Sequence, residues 1–288
     1  MGMYLILFIQ QLIAASTHVV SKSLTATVHP SVLLLFRAGV ASLIFLIWIF
    51  FNRKKLPKFQ KGDERTFVIL GILCIPLNQY LFFTSVNLTT APNVSLAYAL
   101  CPAFVVIMEI LYLKVKASKL KLAGIAIAFL GALTIFAERG IDLSSQYFLG
   151  NIIALIASFS WALYTIIGKN IIKRMGAIYS TGLAIIFGYI LYLPIYFFTG
   201  DRTSIAAIDL SAGVKIAYLG VFTSVVGYAL WYWVLERMEA SKLSVFNNLQ
   251  PVLTALLAAI FLSFNFTLPF ALGGVLVLIG VFMTQRAK

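Results

Sequence analysis

Apolar residues run along this chain in stretches long enough to cross a bilayer, each broken by a short polar connection; a helix needs about 20 such residues to span roughly 30 Å of hydrocarbon. Ten stretches fall at 3–26, 31–51, 66–87, 93–113, 120–137, 147–170, 178–198, 213–235, 242–263 and 268–285. The pattern predicts an all-α polytopic membrane protein of ten transmembrane helices. The longest connections, 52–65 and 199–212, are too short to fold alone and too polar to insert, so 1–288 is expected to be a single membrane domain.

Displacing the sequence against itself by 149 residues lays Gly71, Pro102, Gly124 and Gly131 on Gly220, Pro251, Gly273 and Gly280. Glycine and proline mark backbone constraints, so their coincidence says more than matched leucines would. Each half, 1–137 and 147–288, holds five spans. An odd number forces the second copy into the bilayer upside down, giving two inverted five-helix repeats, the build of a secondary transporter. Spans one and two match six and seven less clearly, with Lys22 over Lys169 at an offset of 147 as the anchor.

Composition sharpens this picture. With 61% apolar and 11% charged residues, the chain has the bilayer as its solvent. Its net charge of +13 resembles that of a nucleic-acid binder, but the basic residues stand beside spans. With the N-terminus inside, 17 Lys and Arg fall on cytoplasmic connections and 3 outside, which places both termini in the cytoplasm and excludes nucleic acid as the partner. The chain has 2 cysteines, 9 acidic residues and 2 histidines with no ligand spacing, so neither a metal, a cofactor nor intramembrane acid–base enzymology is expected.

Polar residues at membrane depth are the candidate functional groups. Pro102 and Pro251, near the middles of spans four and nine, each free a carbonyl one turn earlier and read as gating kinks. Around the second proline stand Asn247, Asn248 and Gln250, with Ser244, Asn247, Pro251 and Thr254 on one face. The matching face of span four carries Ser95, Tyr98 and Glu109. Tyr228 and Trp231 in span eight, with Gln79 and Phe82 in span three, suit the walls of a site for a small amphipathic molecule. Trp161 and Tyr164 in span six and Gln10 in span one complete the candidate substrate-binding set. Glu109 and His18 are the candidates for proton coupling. Arg37, about six residues from the outer end of span two, is expected to snorkel to the interface. Gly124, Gly131, Gly273 and Gly280 are assigned to close helix packing or a subunit interface; monomer and homodimer both stay open.

The chain resembles the drug/metabolite transporter superfamily, and within it the EamA-type ten-helix transporters. The likeness rests on His29-Pro30 through Phe36-Arg37-Ala38-Gly39, on Ala91 through Leu100 to Pro102, and on Gly124 and Gly131. The second half adds Ser160-Trp161-Ala162-Leu163-Tyr164, Ala240 through Leu249 to Pro251, and Gly273 with Gly280. The chain departs from the pattern where spans four and nine end: Leu113-Lys114-Val115-Lys116 and Leu262-Ser263-Phe264-Asn265 stand in place of a Gly-Glu pair. Span one also lacks the carboxylate that smaller multidrug-resistance relatives use to export cations. The resemblance implies a central cavity between the repeats, export, and substrates such as amino acids or related metabolites; the expected location is a bacterial plasma membrane, with an organelle membrane as the alternative. Combined with the residues, it gives a carrier of a small-molecule substrate that works by alternating access around a midplane cavity. The alternative is a passive channel or lipid-handling protein.

Overall fold

The computed structural model describes residues 2–113, 118–136 and 145–286. Among the described residues every regular element is helical. The ten segments are α1 (Gly2–Thr25), α2 (Pro30–Asn52), α3 (Asp63–Leu88), α4 (Ala91–Ala99 continued as Cys101–Leu113), α5 (Lys119–Phe136), α6 (Gln146–Met175), α7 (Ala177–Thr199), α8 (Leu210–Arg237), α9 (Ala240–Ser244, Val245–Asn248 and Leu249–Phe261) and α10 (Leu268–Arg286). Eight contain a stretch long and apolar enough to cross a membrane; the exceptions are α5 and α10.

The sequence explains where several helices start and stop. Pro30 opens α2, behind a His29 ring that accepts from the Ser31 N–H. α6 was expected to end at 170 but runs to Met175, where Lys173 and Arg174 complement its carbonyl end and Gly176, at φ +83°, stops it. In α2, Leu34, Ala38, Ala41 and Phe45 are buried while Leu43, Leu46, Ile47 and Phe50 stay exposed. Such an outward apolar face has hydrocarbon as its natural neighbour.

The two halves pack crosswise. α1 lies against α8 and α9, while α6 lies against α3 and α4. Lys22 of α1 donates to the carbonyls of Val86, Asn87 and Thr89 at 2.8, 3.1 and 2.6 Å, closing the carbonyl end of α3. Lys169 of α6 donates to the Met238 carbonyl at 3.2 Å, just past the end of α8. Thr89 and Met238 are 149 residues apart, so both lysines serve the same helix end in their own halves. Helix C-termini carry orphan carbonyls and partial negative charge, and a lysine answers both.

The spaced glycines work inside the chain. A methyl group at Gly124 would lie 2.6 Å from the Gly280 carbonyl oxygen, and one at Gly131 2.6 Å from that of Gly273. These four positions let α5 and α10 cross with backbones in contact, which answers the choice between packing and a subunit interface in favour of packing.

Four helices are irregular, in two matching pairs. α3 widens to a π-helix over Leu73–Tyr80, around Pro76, and α8 does so over Leu219–Gly227. α4 breaks at Leu100, two residues before Pro102, and α9 tightens to a 3₁₀ turn over Val245–Asn248, before Pro251. The helices of each pair correspond by the 149-residue offset, and their irregular stretches fall within a few residues of one another.

Candidate functional site

All four irregular helices contribute to the wall of one cavity with a free volume of about 70 Å³. Room for a water begins at roughly 10–15 Å³ on this measure, so several waters or a compact polar group fit. Its walls come from both halves: α1, α2, α3 and α4 on one side, α6, α8 and α9 on the other.

Of the residues expected from sequence, Gln10, His18, Gln79, Tyr98, Trp161, Tyr228 and Gln250 all line the cavity. Gln10, Gln11, Asn247, Gln250 and His18 form one polar chain across α1 and α9. Gln11 Nε2 donates to Gln10 Oε1 at 2.8 Å and to Asn247 Oδ1 at 3.4 Å. Gln250 Nε2 donates to the same Asn247 Oδ1 at 3.1 Å, and Gln250 Oε1 lies 3.3 Å from His18 Nε2. Asn247 is fully buried behind this chain rather than on the cavity wall. Asn248, half-buried next to it, also stands off the wall. The 3₁₀ turn turns the two neighbours to different sides.

Tyr164 and Trp231 are likewise behind the wall. Trp161 stacks on Tyr164 with centroids 5.3 Å apart and meets Trp231 at 5.4 Å, while Trp231 Nε1 donates to Thr165 Oγ1 at 3.2 Å. Both therefore fix the Trp161 ring that faces the cavity. Pro102 and Pro251 are buried at the irregular points of their helices and do not line the cavity. Glu109 sits on the second half of α4, but its side chain lies outside the described residues.

Two wall residues whose side chains bond across helices were missed. Asn78 donates from Nδ2 to the Tyr98 hydroxyl at 2.7 Å and to the Ala157 carbonyl at 2.9 Å, and accepts from the Tyr228 hydroxyl at 3.2 Å. One side chain thus ties α3 to α4, α6 and α8. Arg37 does not snorkel; it is 2% exposed, donates from Nε to Ser224 Oγ at 2.8 Å and lies 5.3 Å from the Phe83 ring centre. Its depth follows from α8, whose Ser224 offers an acceptor inside the protein.

Several buried polar atoms here have no hydrogen-bond partner among the described residues: Gln79 Oε1, Gln11 Oε1, His18 Nδ1, Asn247 Nδ2 and Thr254 Oγ1. Unpaired buried groups are costly, so a cluster of them marks a place where water or a ligand completes the hydrogen bonding. The wall has amide donors and acceptors, aromatic faces and one cation. It lacks a nucleophile paired with a base, and among the described residues no group of His, Cys, Asp or Glu is arranged to hold a metal. What these groups offer is recognition: hydrogen bonds, ring faces and one positive charge.

The model of the EamA-like transporter family matches this chain twice, over residues 1–137 and 148–286. An uncharacterized transporter of Bacillus subtilis, YyaM, is 27% identical over 98% of this chain and 92% of its own length. An uncharacterized transporter of Archaeoglobus fulgidus is 25% identical over 99% of this chain and 98% of its own. A probable amino-acid metabolite efflux pump of Escherichia coli is 30% identical over 57% of this chain and 56% of its own. One solved crystal structure shares the fold, with a TM-score of 0.70 at 17% identity, covering 98% of this chain and 96% of that one.

Proposed function

Because the chain belongs to the EamA-like transporter family and is an integral membrane protein, we propose that it is a secondary carrier exporting small organic metabolites such as amino acids or related compounds. The observation that carries this reading is the cavity: amides, tyrosines and a tryptophan from both halves converge on it, and the two matched pairs of irregular helices surround it.

In this reading all ten helices span the bilayer as two inverted five-helix repeats, with both termini in the cytoplasm of a bacterial inner membrane. α5 and α10 form the backbone-to-backbone seam between the repeats. The halves rock about the cavity while α4 and α9 bend at their breaks, exposing the site to one side at a time. Gln10, Gln79 and Gln250 bind polar groups of the substrate, and Tyr98, Trp161 and Tyr228 hold its apolar body. Asn247 organises the amides from behind.

Counterflow in proteoliposomes tests the carrier. Labelled amino acid should accumulate transiently against an excess of unlabelled substrate inside, and flux should saturate. Asn247→Ala should abolish this without loss of protein from the membrane. Flux that rises linearly with concentration and shows no counterflow would assign the protein to a pore instead.

A further inference from the structure

Resting on the carrier reading, we propose that Arg37 is the docking point for a carboxylate of the substrate, so that the cavity selects small organic acids over amines and neutral compounds. Arginine keeps its charge in any protein environment and presents five N–H donors. Here only Nε has a hydrogen-bond partner, Ser224 Oγ at 2.8 Å; the two terminal nitrogens have none among the described residues. The side chain is 2% exposed, and the space it borders is the cavity.

A purely structural buried arginine is expected to be saturated with acceptors or paired with an acid, since an unpaired charge at membrane depth is expensive. The groups facing this one from α1, α3, α4 and α8 are amides, hydroxyls, aromatic rings and the His18 imidazole, and none of the described cavity-lining residues is acidic. Asp63, at the start of α3, is paired with Arg174. Among the described residues the wall therefore carries a positive charge with no counter-ion. Two parallel N–H donors fit a carboxylate in bidentate geometry. A free ammonium finds no acid here, only the faces of Trp161, Tyr228 and Phe82, which favours acids over amines.

The test uses the full chain, purified in detergent, and two matched triads: isovalerate, isovaleramide and isopentylamine, then 3-phenylpropionate, 3-phenylpropanamide and 3-phenylpropylamine. Dissociation constants come from concentration-dependent thermal shift. An acid of either triad should bind at least about tenfold more tightly than its amide and amine. Arg37→Gln should remove that preference while still melting cooperatively, and Arg37→Lys should retain part of it. Equal binding of acid and amide by the native chain overturns the proposal whether or not Arg37→Gln folds. So does an acid preference that survives in Arg37→Gln, or a folded native chain that binds neither acid. Chloride competing for the site while neither acid binds would assign Arg37 to an inorganic ion and equally overturn it. Counterflow separates this inference from its premise. Saturable flux of a neutral compound, indifferent to Arg37→Gln, removes only the carboxylate site; acid binding at Arg37 with flux that never saturates removes only the carrier.

Discussion

Asn78 holds more of the cavity together than any other side chain, with bonds to Tyr98, Tyr228 and the Ala157 carbonyl. Asn78→Leu keeps the branched shape but leaves the buried Tyr98 and Tyr228 hydroxyls without this partner, at about 1–3 kcal/mol for each. The variant should melt several degrees lower and lose most of its transport; native melting and flux would show that water replaces the amide. Sequence reasoning found Gln79 and missed its neighbour because it placed residues on helical faces by α-spacing. In the wide π turn of α3 both residues reach the cavity. Gln10, Gln79 and Gln250 were legible because amides stand out at apolar depth, whatever their partners. Arg37 was misread for the opposite reason. Its distance from the end of span two is a local quantity, whereas its acceptor, Ser224, is 187 residues away. Tyr164 and Trp231 were assigned to the right faces, but a face has depth, and they occupy the layer behind Trp161.

Between elements, the α5–α10 crossing leaves no room for a side chain. Gly131→Ala would place a methyl group 2.6 Å from the Gly273 carbonyl oxygen and 2.7 Å from the Val277 nitrogen, both backbone atoms. Overpacking of this kind costs about 1–3 kcal/mol, so the melting temperature should fall clearly, with oligomeric state unchanged. Unaltered melting would mean that the helices slide apart at no cost. The breaks at Leu100 and Val245–Asn248 have the opposite signature. Pro102 and Pro251 each stand in the first turn of the helical segment that follows its break, where the missing N–H would have no helical partner. Replacing Pro102 and Pro251 together by alanine should leave stability little changed while transport falls at least about tenfold; full flux would remove bending at these points from the cycle. The prolines announced these breaks in the sequence. The π-helical stretch of α8 had no such herald, since Leu219–Gly227 contains no proline, and only its correspondence with α3 makes it intelligible.

For the molecule as a whole, the duplication was legible wherever glycine and proline constrain the backbone and faint where spans one and two meet six and seven. There the likeness lies in what Lys22 and Lys169 do, each closing the carbonyl end of a helix in its own half. The proposed orientation has a direct check. On a background without Cys74 and Cys101, a cysteine at exposed Thr203 should react with an impermeant maleimide on intact cells, and one at exposed Lys54 only after the membrane is opened. The reverse labelling would invert the topology. Arg37 also bears on the rhythm of the cycle. A carrier that returns without cargo must close its site around a bare guanidinium, whereas one loaded with an acid closes around a neutralised pair. The loaded stroke is then the fast one and the unloaded return the slow one. Labelled acid should leave vesicles several times faster when the same acid waits outside than when buffer does, and Arg37→Gln should erase that difference.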